Sequence, residues 1–162
     1  MNLLFLDFDG VINNPATEHR PYVWPDWHQN AGLVSNTRWI EPNLIAIVER
    51  IRAAFDADIV ISSTWRQHYT LEQLRDILEC HIPRSRVIDV TPKLYSDRGT
   101  EIEYSLRKYS PDKYLILDDY TPSSFLVHQQ SYLIQTDDDL GITDSDADRA
   151  IRLINPPAPK TL

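Results

Sequence analysis

The most constraining feature is an alternation. Short apolar runs, each of a length suited to a buried strand, are separated by stretches with apolar residues at helical spacing. "LLFLDF" is the first run, and "ADIVISST", "SRVIDVT", "DKYLILDDY" and "SYLIQTDD" are the others. Between them, "EPNLIAIVERIRAAF" carries Leu44, Ile45, Ile47, Val48, Ile51 and Phe55 on one helical face, with Pro42 suited to a first turn. "TLEQLRDILEC" opens with Thr70 and Gln73 spaced as a capping box. "DRGTEIEYSLRKY" has Asp97 as its expected cap, and Ile102 and Leu106 share a face. "TDSDADRAIRLI" closes the series, with Thr143 and Asp146 spaced as a second capping box. Strands that alternate with helices form a parallel sheet covered on both faces. The expected fold is α/β: a Rossmann-like three-layer α/β/α sandwich with a mainly parallel five-stranded sheet and a minimal cap.

In such sheets ligands bind beyond the carboxyl ends of the strands, where the strand order reverses. The polar residues of interest all fall at strand ends. Asp7 and Asp9 end the first run, Ser62, Ser63 and Thr64 the second, and Asp118 and Asp119 the fourth. If the first strand is central, with the second and fourth beside it, the three groups meet. Taken singly, Asp7 and Asp9 fit a plain turn as well as a site. The Ser62–Thr64 cluster fits a cap, and the Asp118 pair fits the cap of a helix near Pro122.

Together they read differently. Close carboxylates repel and require a cation or shared protons. Acids from two strand ends suit Mg²⁺, which takes one or two carboxylates, waters and a phosphate oxygen. A cation there lets a carboxylate attack phosphorus and form an aspartyl-phosphate. A second acid two residues on can protonate the leaving oxygen and later deprotonate water. A hydroxyl and a cationic side chain complete the phosphate site.

"FLDFDGV" resembles motif I of the haloacid dehalogenase (HAD) superfamily, Asp-x-Asp-x-[Thr/Val], with Asp7, Asp9 and Val11 in those positions. "IVISST" is similar to motif II and "YLILDD" to motif IV. More narrowly, "ISSTWR", "TP", "RGTEI", "ILDD" and "LGIT" in that order resemble the small HAD-like domain of RNA-repair polyproteins and of many phage and bacterial proteins. The resemblance runs roughly from Leu3 to Leu153. It implies a phosphatase with Asp7 as nucleophile and metal ligand. Asp9 would be the general acid/base, its backbone carbonyl also on the metal. It further implies Ser63 as the phosphate-binding hydroxyl, with Ser62 or Thr64 one register step away, and Asp118 with Asp119 as Mg²⁺ ligands. The motif III cation departs from the pattern. Arg98, Lys93 and Lys108 are candidates, and Arg98 is favoured because it opens a helix and offers a planar fork. It also fits a surface residue paired with Glu101. Arg66, just past motif II, is expected to grip a second phosphate or to form an ion pair.

The chain has 162 residues and one cysteine, Cys80. One catalytic domain over residues 1–154 is expected, with a flap at 11–39 and a C-terminal tail at 155–162. The 11–39 segment has no clear period, and Trp24 and Trp27 within it are candidates for stacking on a substrate base. A net charge of −8, from 16 basic and 24 acidic side chains, disfavours broad nucleic-acid binding but not the binding of one end phosphate. Four glycines, none in a phosphate-loop pattern, argue against a P-loop kinase. No apolar run spans a membrane, and the lone cysteine fits a reducing compartment, so a cytoplasmic protein is expected.

The expected partner is a phosphorylated substrate: a nucleotide, a nucleic-acid end or another phosphomonoester. No membrane is expected, and the chain is expected to be a monomer or weak homodimer. The competing function is a phosphate-binding or phosphoacceptor module without turnover. Such a module has no need of Asp9, since only a hydrolytic cycle uses a second carboxylate to move the proton.

Overall fold

The computed structural model describes residues 1–16 and 40–156. Most of the 11–39 segment, with Trp24 and Trp27, and most of the tail lie outside the described residues. Five strands form one sheet: β1 (Asn2–Leu6), β2 (Ala57–Ile61), β3 (Val87–Val90), β4 (Lys113–Asp118) and β5 (Leu133–Gln135). Their order is β3-β2-β1-β4-β5, and every pairing is parallel. The first strand is therefore central, flanked by the second and fourth. Asn2 is level with Ala57 on one side and Lys113 on the other.

Among the described residues, four α-helices connect or follow the strands: α1 (Pro42–Ala54), α2 (Leu71–Leu78), α3 (Arg98–Tyr109) and α4 (Asp144–Ile154). Alternation along the central strands divides the core in two. Leu4 and Leu6 of β1, Ile59 and Ile61 of β2, and Leu115 and Leu117 of β4 pack with Ile45, Val48 and Ile51 of α1, Leu74 and Leu78 of α2, and Ala147 and Ala150 of α4. The opposite face presents Leu3, Phe5, Val60 and Ile116 to Ile102 of α3 and to Phe125. The result is the expected three layers. Handedness explains the assignment. The chain moves outward from β1 to β3 with α1 and α2 on one face, then crosses back to β4, which puts α3 on the other.

Both capping boxes form: Thr70 with Gln73, and Thr143 with Asp146. Asp97 occupies the N-cap position of α3, but its side chain makes no capping bond. Several ends are shorter than the sequence pattern suggests. Arg84–Arg86 and Gln130–Tyr132 are single 3₁₀ turns leading into β3 and β5. Helix α2 stops at Leu78, so Cys80 lies just past it, half-buried against the core. No helix among the described residues is long and apolar enough to cross a membrane.

Candidate active site

Each of four strands is prolonged by one hydrogen bond past its end. Asp7 N donates to Leu117 O at 3.0 Å, Ser62 N to Leu6 O at 2.9 Å, Thr91 N to Ile61 O at 2.9 Å, and Thr136 N to Asp118 O at 3.0 Å. Asp7, Ser62 and Asp118 thus line the carboxyl edge of β1, β2 and β4. By the period of two they share the face of Phe5, Val60 and Ile116. That face is covered by α3, and the first residue of α3 is Arg98.

Arg98 is buried and bridges two strand ends. Its Nη1 is 2.6 Å from Asp118 Oδ2 and 3.1 Å from Asp7 Oδ2. The other oxygens of these acids accept from backbone: Asp7 Oδ1 from Phe8 N at 2.8 Å, and Asp118 Oδ1 from Tyr120 N at 3.0 Å. Burial works against the charge on Arg98, but Asp7 and Asp118 outweigh it and hold the guanidinium above its ordinary range. Its Cζ lies over the Tyr120 ring, 4.8 Å from the ring centre.

One guanidinium does not balance the acids. Carboxylate oxygens of Asp7, Asp118 and Asp119 lie within 4.8 Å of one another. Burial, and then the charge on Asp7, push the Asp118 carboxyl up to about 8. The same two causes raise Asp119. Three buried side-chain atoms on this edge have no hydrogen-bond partner: Asp119 Oδ1, Ser62 Oγ and Thr91 Oγ1. Buried polar atoms are rarely left so, and an ion or water commonly explains them. The acids and the orphaned Asp119 oxygen fit a hard divalent cation with oxygen ligands.

Gly10 lets these acids approach. It has a φ of +69°, and a Cβ there would lie 2.6 Å from Asp119 Oδ2. Gly10 O accepts from Thr136 Oγ1 at 2.7 Å, and Val11 O from Ile142 N at 2.8 Å, so the loop after β1 is tied to the loop after β5. Gly10→Ala is expected to lower stability by about 1–3 kcal/mol, read as a fall in the urea midpoint, and to weaken Mg²⁺ binding in calorimetry by displacing Asp119. Unchanged values for both would show that Asp119 is not held by this contact.

The remaining candidates separate clearly. Ser63 caps a 3₁₀ turn (Thr64–Gln67), its Oγ accepting from Trp65 N at 3.3 Å, while the neighbouring Ser62 Oγ is the orphaned one. Thr64 and Lys93 are exposed and line a cleft of about 160 Å³ that reaches Arg98 and Tyr120. Lys93 Nζ is 3.5 Å from Gln67 O. Lys108 is on the surface, 2.7 Å from Asp89, and does not join the site.

Arg66 touches the same cleft, but its donors are committed to the fold. Nε binds Thr91 O at 3.1 Å, Nη1 binds Ser62 O and Ser63 O at 3.0 and 2.7 Å, and Nη2 pairs with Glu101. The ion-pair alternative is the one this geometry matches. The Glu101 partner expected as an option for Arg98 belongs instead to Arg66.

Asp9 faces elsewhere and is the most exposed of the acids. Trp65 Nε1 donates to both of its oxygens, and Asn13 Nδ2 donates to Oδ1. The sequence pattern does not single out Trp65 or Asn13. The only available signal is that Trp65 directly follows the motif II hydroxyls.

Residues 3–147 match the family described as the HAD domain in Swiss Army Knife RNA repair proteins. The chain belongs to this HAD family. Searches of curated proteins and of solved structures gave no match. Membership accords with the sheet order and with acids at the ends of β1 and β4. It places this HAD domain among phosphatase-type hydrolases, a superfamily that generally uses Mg²⁺.

Proposed function

We propose that this HAD domain is a Mg²⁺-dependent phosphomonoester hydrolase that works through an aspartyl-phosphate on Asp7. The observation that carries the reading is the gathering of Asp7, Asp118 and Asp119 around one edge point, with Arg98 against Asp7. Asp7, Asp118, Asp119 and the Asp9 carbonyl would hold the cation. When bound, the cation offsets the charge that otherwise keeps a phosphate dianion from a carboxylate.

The chain's own residues supply the rest. An Asp7 oxygen attacks phosphorus. Arg98, fixed by Asp118, holds the Asp7 carboxylate and adds positive charge where phosphoryl oxygens gather. The Ser62 or Ser63 hydroxyl donates to one of those oxygens. Asp9 gives a proton to the leaving oxygen, then takes one from the water that releases phosphate.

The substrate class we propose is a nucleic-acid or nucleotide end phosphate. The family's description in RNA repair proteins supports it. So does the cleft beside Arg98, where Lys93, Tyr95 and Tyr120 offer a cation and two exposed rings to the rest of the ester. Tyr95 is 96% exposed and has a φ of +53°, a left-handed conformation uncommon for a bulky residue and often found at binding sites.

Acid-quenched turnover with Mg²⁺, analysed by mass spectrometry, is expected to show one phosphoryl group on the peptide containing Asp7, and chelation of Mg²⁺ to remove both adduct and turnover. Turnover without that adduct would sink the aspartyl-phosphate reading. A lasting adduct with no phosphate release would identify a phosphoacceptor module instead.

A further inference from the structure

The Asp9 carboxylate is gripped from two loops. The Trp65 indole N–H lies between its oxygens, 2.9 Å from Oδ1 and 3.0 Å from Oδ2. From the loop after β1, Asn13 Nδ2 donates to Oδ1 at 2.8 Å. Asn13 is held in turn, since its Oδ1 accepts from Gly10 N at 3.0 Å. The indole is also fixed. Trp65 is 8% exposed, its ring centre 5.5 Å from that of Phe8 and 5.5 Å from that of Tyr69. A buried ring packed against two others has little freedom to follow a moving carboxylate.

The donors are unevenly placed. An indole nitrogen only donates, so Trp65 cannot exchange a proton with Asp9 and can only orient it. Among the described residues, Oδ1 receives Asn13 and a share of Trp65, whereas Oδ2 receives only a share of Trp65. Oδ2 is the oxygen with acceptor capacity to spare. If a proton sits on Oδ2, the indole N–H settles on Oδ1 without any movement of the ring.

We propose that Trp65, assisted by Asn13, is a positioning residue that sets the orientation of the Asp9 carboxylate and reserves Oδ2 for the exchanged proton. The proposal rests on the reading of Asp9 as general acid/base. In the first step an Asp7 oxygen bonds to phosphorus while the ester P–O bond breaks. The bond's electron pair leaves on the ester oxygen, which takes the proton from Asp9 Oδ2. In the second step a water oxygen bonds to phosphorus and passes a proton to Oδ2. The Asp7–phosphorus bond breaks and its electrons return to the carboxylate.

Leaving-group dependence separates this role from mere packing. An alkyl phosphate needs its leaving oxygen protonated, whereas p-nitrophenyl phosphate scarcely does. Trp65→Phe keeps a ring against Phe8 and Tyr69 and removes the N–H. It is expected to lower kcat/KM, which reports the step that expels the leaving group, about tenfold more for the alkyl ester than for the aryl ester. Asn13→Ala should act in the same direction, and it carries the test if Trp65→Phe does not fold. Asp9→Asn should show the same split, larger, and Trp65→Phe added to Asp9→Asn should widen it no further. Equal slowing of both esters by Trp65→Phe and by Asn13→Ala, or a split that adds to that of Asp9→Asn, would overturn the proposal. A split for Asp9→Asn alone would overturn only the role of Trp65. No split for Asp9→Asn would remove the general-acid reading itself.

Discussion

Asp7→Asn is expected to reduce phosphate release by about 10⁴-fold or more, the scale of removing a nucleophile, with the fold intact. The amide has the same shape and keeps one oxygen to accept from Phe8 N or from Arg98, the two donors on Asp7. It lacks the charge to attack phosphorus and is a poorer ligand for a hard cation. It also removes one of the charges that push Asp118 and Asp119 upward. Loss of activity should therefore come with unchanged or slightly higher thermal stability in chelator. This pairing is informative, because a residue needed only for folding would lose both together. Phosphate release within tenfold of the parent chain would exclude Asp7 as nucleophile.

Arg98→Met carries the second large effect, on stability as well as rate. The side chain is 4% exposed and lies between two acids that are almost fully buried. Methionine fills similar volume but leaves three carboxylates facing one another with no counter-charge. Breaking a buried ion pair on one side costs about 3–5 kcal/mol. We expect a loss of about 3 kcal/mol by urea unfolding in chelator, at the low end because protonation of Asp118 relieves part of the repulsion. Adding Mg²⁺ should restore more stability to the variant than it adds to the parent chain, since binding to the native state raises stability by linkage. A loss below about 1 kcal/mol, or no added effect of Mg²⁺, would show that Arg98 does not balance this cluster.

These two residues were legible in the sequence, and the reason is geometric. A strand that runs apolar and then ends in an acid announces both its burial and its exit. Two such endings, with a run of hydroxyls at the end of a third strand, must lie on one edge of a parallel sheet when the chain alternates strand and helix. Arg98 was legible because it opens the helix that crosses over that edge. What the sequence hid were contacts between loops. Trp65 meets Asp9 across 56 positions, and only the 3₁₀ turn after β2 aims the indole there. Asn13 depends on the left-handed Gly10 turning the chain back. For Arg66 the sequence leaves a phosphate contact and an ion pair equally open. The backbone carbonyls that occupy it leave no trace in residue type. The runs read as strands also begin too early at β3 and β5, where a single 3₁₀ turn of mostly polar residues, Arg84–Arg86 or Gln130–Tyr132, precedes the ladder.

The central place of β1 has a consequence for how the molecule comes together. Both of its partners lie far along the chain: Leu6 sits level with Ile61 on one side and with Leu117 on the other. Both contacts close long loops, and closure of that kind is slow and comes late in folding. A partly folded chain in which β2 and β3 have paired holds a patch of sheet but no reaction centre. Asp7 comes within reach of Asp118 and Arg98 only when the middle strand is seated. On the proposed mechanism, the strand that closes the middle of the sheet is also the one that brings the nucleophile to its cationic partner.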